Sequence, residues 1–249
     1  MIQIIRYVRV ISAVVFVTAI GGACASAHWS YAGEGGPENW ANLDAKNSAC
    51  GQGQRQSPID ITKPFVNGRA DLKLTYAAAS GEIVNNGHTI QVNLTGNNTL
   101  QSGGKTYRLL QFHFHSPSEE AVAGKRFPLV AHLVHASEAG ELAVLAILFE
   151  TGAANAELAE VFSNLPAAEG TKKALAGPIN PKAMLPGSLA HWNFSGSLTT
   201  PPCSEGVNWF VLQSPVKISD EQLAGFTALY PNSARPLQAR NDREIRSLR

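Results

Sequence analysis

A neutral histidine nitrogen is among the commonest metal ligands in proteins. In Gln111-Phe112-His113-Phe114-His115 two histidines stand one residue apart. The run 107–115 is rich in apolar and aromatic residues and reads as a strand. A strand repeats every two residues, so His113 and His115 share one face and Phe112 and Phe114 the other. Burying polar rings costs free energy unless they find partners. Two imidazoles on one strand face therefore point to a shared metal ion. Zn²⁺ needs at least one more protein ligand. The segment Ala131-His132-Leu133-Val134-His135 offers two histidines. They are three positions apart and face opposite sides of a strand, so parity leaves the choice between them open. His28, His135 and His191 read as ordinary core or surface histidines.

Strands are expected at 89–94, 107–115, 129–135, 142–149 and 208–213, where Val, Ile, Leu and aromatic runs are bounded by Gly, Asn and Pro. The 142–149 run is apolar enough to be covered on both faces, as in the middle of a large sheet. Helices are expected at 154–164, stopped by Pro166, and at 219–230. Ser219 and Gln222 of the second have capping-box spacing. Residues 28–58 show no period. These signals describe a sheet-centred domain with long surface loops.

Of 249 residues, 44% are hydrophobic and 16% charged, an ordinary globular balance. Residues 1–27 differ. Arg6 and Arg9 precede an apolar run over 10–20, and Ala25-Ser26-Ala27 follows. This is the layout of a secretory signal peptide, and the apolar run is short for a span of about 20 residues. A lipoprotein signal cut at Cys24 is the less favoured reading, because Gly21 stands where a bulky aliphatic residue is usual. The expectation is a domain over 28–249, periplasmic or secreted, with no stable membrane span after processing. Without Arg6 and Arg9, the 20 basic residues become 18 against 19 acidic, a net charge of −1. No basic patch stands out, which argues against nucleic acid. No linker divides the remainder, so a single domain is expected. Cys50 and Cys203 remain, and an even pair in an exported chain reads as a disulfide.

Six stretches occur in order: Gln56-Ser57-Pro58-Ile59-Asp60-Ile61; Asn85-Asn86-Gly87-His88; the His113/His115 segment with Ser118-Glu119; His132-Leu133-Val134-His135; Gly196-Ser197-Leu198-Thr199-Thr200-Pro201-Pro202; and Ala234-Arg235-Pro236-Leu237-Gln238. Together they resemble the α-class carbonic anhydrases, from residue 28 to about 243. The resemblance implies zinc held by His113, His115 and His132, with His135 structural. It implies a mainly β (α+β) fold, a single domain on a large, mostly antiparallel twisted central sheet of about ten strands, with a few short helices and long loops. Cys50 and Cys203 match the disulfide of secreted and bacterial members.

The implied activity is reversible hydration of CO2 to bicarbonate and a proton. Three neutral histidines leave Zn²⁺ an open position, and bound water there ionises with a pKa near 7, giving hydroxide to attack CO2. A Thr hydroxyl has one proton and an ionised Glu only accepts. If Thr199 donates to Glu119, its oxygen can only accept from that hydroxide, which orients it. Val134, Val144, Leu198, Val207 and Trp209, with Thr200, match the substrate pocket. His88 matches the proton shuttle, Tyr31 and Asn86 the water network, and Gln111 the partner of His113. CO2 and bicarbonate are the implied substrates, sulfonamides and anions the implied inhibitors. Side esterase activity and a homodimer are compatible with the sequence.

Two positions depart from the family. Val130 replaces the Glu that usually orients the third zinc histidine, and Glu120 replaces a His. The expectation is a relocated carboxylate, with Glu120 orienting His132. Two other readings compete. A cupin metalloenzyme would use His113, His115 and Glu119 as ligands but has no use for 199–202. A non-catalytic zinc-containing binding module on the same fold would usually lack one of the three histidines.

Overall fold

The computed structural model describes residues 28–249. The signal-peptide expectation lies outside the described residues. In chain order the strands are β1 (Asp60–Ile61), β2 (Val66–Gly68), β3 (Lys73–Thr75), β4 (Gly81–Asn85), β5 (Ile90–Leu94), β6 (Thr99–Ser102), β7 (Lys105–His115) and β8 (Ala121–Val122). They continue with β9 (Lys125–Arg126), β10 (Leu129–Ala136), β11 (Leu142–Thr151), β12 (Lys172–Ala174), β13 (His191–Ser197), β14 (Glu205–Leu212), β15 (Val216–Ile218) and β16 (Arg246–Leu248). The helices are short: α1 (Trp40–Leu43), α2 (Ala49–Gln52), α3 (Ala159–Ser163) and α4 (Asp220–Thr227).

Thirteen strands form one sheet, whose main path runs β12-β4-β5-β7-β10-β11-β14-β13-β16-β2. Most pairs are antiparallel, as expected. The sheet is nonetheless mixed: β11 pairs in parallel with β14 and β15, and β16 with β2. A small second sheet joins β1, β8 and β9.

The sheet has an apolar layer on each face. One layer holds Val92, Phe112, Phe114, Leu133, Leu145 and Ile147. The other holds Ile59, Ile61, Val130, Val144, Leu148 and Trp209. Strand β11 contributes alternately to both, which explains its unbroken apolar run. Alternation in β7 sends Phe112 and Phe114 into the first layer and both histidines to the second face. Burying two phenylalanines fixes that register, since a one-residue slip would reverse every side chain.

The helices are shorter than the sequence suggests. In 154–164 only Ala159–Ser163 is helical. Asn155 Oδ1 accepts from Leu158 N–H at 3.2 Å, and Asn155 N–H donates to Gln222 Oε1 at 2.8 Å. Those bonds divert the first turn into a tether to α4. At α4 the capping box forms as expected, but the helix ends at Thr227. Residues 28–58 carry the short helices α1 and α2, too brief to show a period.

Candidate active site

Strands β7 and β10 pair so that His132 lies opposite His113 and Val130 opposite His115. His132 therefore joins the histidine face. A register shift between Val134 and His135 follows, and His135 falls on the far face, where it is hydrogen-bonded to Tyr76 Oη at 2.7 Å. One nitrogen from each of His113, His115 and His132 lies within 4.8 Å of the other two.

The second nitrogen of each ring meets an acceptor. His113 Nδ1 donates to Gln111 Oε1 at 2.9 Å, and His115 Nδ1 to the Ser233 carbonyl at 2.6 Å. His132 Nε2 lies 3.1 and 3.2 Å from the two carboxylate oxygens of Glu120. Each acceptor selects the tautomer that leaves the other nitrogen's lone pair toward the common centre. The Ser233 contact was invisible in the sequence, because a backbone carbonyl carries no side-chain signature.

The electrostatics match a site built for a cation. Burial, helped by the neighbouring His132, holds His113 down to about 3. Burial and the other two rings keep His115 well below its usual range, against the pull of the Ser233 carbonyl. For His132 burial also disfavours the charge, but Glu120 and Glu119 outweigh it and raise the ring. Glu119 Oε2 lies 3.5 Å from His115 Nε2 and 3.8 Å from His132 Nδ1. Both Glu119 Oε2 and His115 Nε2 are buried without a hydrogen-bond partner among the described residues. Buried polar atoms are rarely left so. Three imidazoles whose free nitrogens converge on one centre are the donor set of a catalytic Zn²⁺, so the residues fit the metal.

Glu119 is wholly buried and is pushed up to about 7. Burial is the main cause and the Glu120 carboxylate adds to it. His132, the Thr199 hydroxyl and the Arg235 N–H pull the other way. Arg235 N–H donates to Glu119 Oε1 at 2.9 Å.

Thr199 sits in the turn after β13. Leu198 N–H donates to the Ser204 carbonyl at 3.0 Å and Cys203 N–H to the Thr200 carbonyl at 2.9 Å. Gln56 Nε2 donates to the Cys203 carbonyl at 3.0 Å, and Ser57 N–H to Ser197 Oγ at 2.9 Å. A Cβ on Gly196 would run into Ser57 Oγ and the Trp209 ring, which explains glycine there. Cys203 is disulfide-bonded to Cys50. Stretches far apart in sequence thus meet behind one loop.

A cavity of about 170 Å³ opens over the histidines. Val134, Val144, Leu198, Thr200 and Trp209 line it, with Tyr31, Asn86, His88 and Gln111. Val207 does not. It is packed behind the wall beside Val144 and Trp209. Trp29, Thr89 and Gln91 also line the cavity and were missed in the sequence. Asn86 Oδ1 accepts from His88 N–H at 3.0 Å and Thr89 N–H at 2.9 Å, closing the turn that carries His88. His88 stacks on Trp29 with centroids 3.6 Å apart, and His28 stacks on His88 at 5.0 Å. His28 is therefore more than the plain surface residue the sequence suggested.

The family described as eukaryotic-type carbonic anhydrase matches residues 35–249. The chain belongs to this family. It is 43% identical to a carbonic anhydrase of Pectobacterium carotovorum over 221 residues, covering 88% of this chain and 91% of that protein. Its fold is similar to the α-carbonic anhydrase of Thermovibrio ammonificans, solved with sulfanilamide, at TM-score 0.87 and 41% identity over 89% of this chain and 99% of that one. It is also similar to the α-carbonic anhydrase of Photobacterium profundum, at TM-score 0.83 and 47% identity over 88% and 99%. The carbonic anhydrase fold, centred on an open twisted sheet, sets the cupin alternative aside. No helix among the described residues is long and apolar enough to cross a membrane.

Proposed function

We propose that this carbonic anhydrase hydrates CO2 reversibly to bicarbonate and a proton, with zinc held by His113, His115 and His132. The observation that carries this reading is the convergence of three histidine nitrogens within 4.8 Å beneath a small apolar-walled cavity. When bound, zinc supplies Lewis acidity and lowers the pKa of water at its open position to about 7.

The protein's own groups do the rest. CO2 has no charge to grip, so Val134, Val144, Leu198 and Trp209 offer it a dry wall. Thr199 gives its one proton to Glu119 and is left as an acceptor toward the cavity. It accepts from the attacking O–H and aims the oxygen lone pair at the CO2 carbon. Anions without such a proton are disfavoured at the same place. Glu119 stays in position through the Arg235 N–H. The released proton passes through waters ordered near Tyr31 and Asn86 to His88. Burial lowers the His88 pKa, nearby His28 adds to this and Glu169 opposes it, so the ring gives the proton up readily to buffer.

Sulfonamides and anions are expected inhibitors, and small activated esters side substrates. A disulfide and the leader-like residues 1–27 support a periplasmic or secreted location. A non-catalytic binding module is the second reading, favoured only by the unusual Val130 and Glu120.

Stopped-flow CO2 hydration on mature, zinc-quantified protein, with and without a sulfonamide, tests the proposal. Fast hydration at one zinc per chain, blocked by the sulfonamide, is expected. Stoichiometric zinc without hydration would sink the catalytic reading in favour of the binding module.

A further inference from the structure

Glu120 is wholly buried, and its carboxylate has one hydrogen-bond partner among the described residues, His132 Nε2. Among the described residues no arginine or lysine pairs with it. A buried carboxylate held by a single imidazole is costly, so its place beside a ligand ring calls for a reason. Strand geometry sharpens the point. Val130 lies two residues before His132 on β10 and shares its face. The two positions are about 7 Å apart along the strand, within reach of a glutamate side chain. The ligand strand could have carried the carboxylate itself, but it places valine there, packed with Ile59, Ile61 and Leu148.

The carboxylate instead enters from the loop before β8. Ser118 Oγ donates to the Glu120 carbonyl at 2.7 Å. Ser118 Oγ also accepts from Phe127 N–H at 2.9 Å, and Ser118 N–H donates to the Phe127 carbonyl at 2.8 Å. The next residue, Ala121, opens β8, which pairs in parallel with β1. Ser118 is wholly buried too. One serine therefore ties the Glu120 backbone to the far side of the β8–β9 hairpin.

We propose that Glu120, suspended from this hairpin by Ser118, is the positioning residue for His132, and that the small sheet thereby sets how long the site retains zinc. This rests on the zinc reading above. A carboxylate on Nε2–H holds the tautomer that offers Nδ1 to the metal and raises its basicity. With the carboxylate anchored outside β10, the third ligand's orientation depends on contacts that neither the ligand strands nor the catalytic loop make.

The test is zinc release from quantified, zinc-loaded protein into excess pyridine-2,6-dicarboxylate, with melting of the metal-free forms as a check on folding. Losses of such outer partners typically weaken metal sites by about 10–100-fold. Glu120→Ala is expected near the upper figure, and Glu120→Gln, which keeps an acceptor, near the lower. Ser118→Ala should speed release several-fold. Adding Val130→Glu to Glu120→Ala should return the rate to within a few-fold of wild type. The visible spectrum of the Co²⁺-loaded proteins should shift in Glu120→Ala and return in the double variant, which a general loss of stability would not produce. If Glu120→Ala does not fold, Glu120→Gln and Ser118→Ala carry the measurement. Wild type that takes up no stoichiometric zinc would overturn the zinc reading itself. Zinc-loaded wild type with unchanged release in Glu120→Gln and Ser118→Ala would overturn this inference alone.

Discussion

The backbone N–H of Arg235 donates to Glu119 Oε1 at 2.9 Å. The guanidinium of the same residue faces the other way. Its Nη1 donates to Gln56 Oε1 at 2.9 Å and to the Ser57 carbonyl at 2.8 Å, and its Nη2 to the Cys50 carbonyl at 2.9 Å. It also lies over the Trp40 ring at 5.5 Å. One residue thus joins the buried carboxylate to the disulfide region and to the segment behind the Thr199 loop. Arg235→Met would leave three acceptors unpaired in the interior, each costing about 1–3 kcal/mol. A stability loss of about 3 kcal/mol or more is expected in urea unfolding, with an unchanged denaturant slope. Arg235→Lys keeps the charge but not the fork of donors, and should fall between. A loss under 1 kcal/mol in Arg235→Met would refute the tie.

Thr199→Ala removes the hydroxyl proposed to donate to Glu119 and accept from the attacking O–H. Zinc content should be unchanged and CO2 hydration should fall by about 100-fold, as when one aligned catalytic group is lost. Thr199→Ser should recover most of the rate. Equal rates for wild type and Thr199→Ala would remove Thr199 from the mechanism.

His88 is the candidate exit for the proton. His88→Ala should slow turnover by about 100-fold in weak buffer, the lower end of what a positioned proton-transfer group contributes. Added imidazole should restore much of it, while the rate of CO2 and bicarbonate interconversion at equilibrium stays near wild type. A weak-buffer rate matching wild type would argue for direct release to solvent.

His135 gives a pH dependence that is independent of the metal ligands. Burial holds it down to about 4, against the help of the Ala143 and Leu133 backbone. A histidine whose folded pKa is depressed favours the neutral form in the native state. Its contribution is present above the unfolded pKa of about 6.5 and is lost as pH falls toward about 4. Between pH 7 and pH 5 this amounts to about 2 kcal/mol. Urea unfolding of zinc-free wild type and His135→Phe should show a flatter acid limb in the variant, whatever its stability at pH 7. Parallel limbs would contradict the assignment.

What the sequence made legible and what it hid divide along physical lines. The alternation in β7 placed His113 and His115 on one face and two phenylalanines on the other, because burial acts on every second residue. The unbroken apolar run of β11 announced a strand covered on both sides. By contrast β13, with Asn193, Ser195 and Gly196, shows no alternation, since its side chains bond across to neighbours: Asn193 Nδ2 donates to Asn208 Oδ1 at 2.8 Å. Local pattern does not reveal which strands meet, so the parallel pairing of β11 with β14 was unforeseen. The helix within 154–164 is shorter than its composition suggests because Asn155 commits its polar groups to a turn. The link between His132 and Glu120 was expected from a missing carboxylate and an extra one, whereas Ser118, although part of a recognisable stretch, gave no sign of its bonds to Glu120 and Phe127.

The two ends of the main sheet are β12 and β2. Each is three residues long and exposed along its length, and β12 carries Lys172 and Lys173. A sheet edge normally invites another chain to add on, and short, lysine-bearing strands blunt that tendency. The broad sheet that carries the histidines can therefore remain open, without closing into a barrel, and still offer little template for edge-to-edge association at high protein concentration.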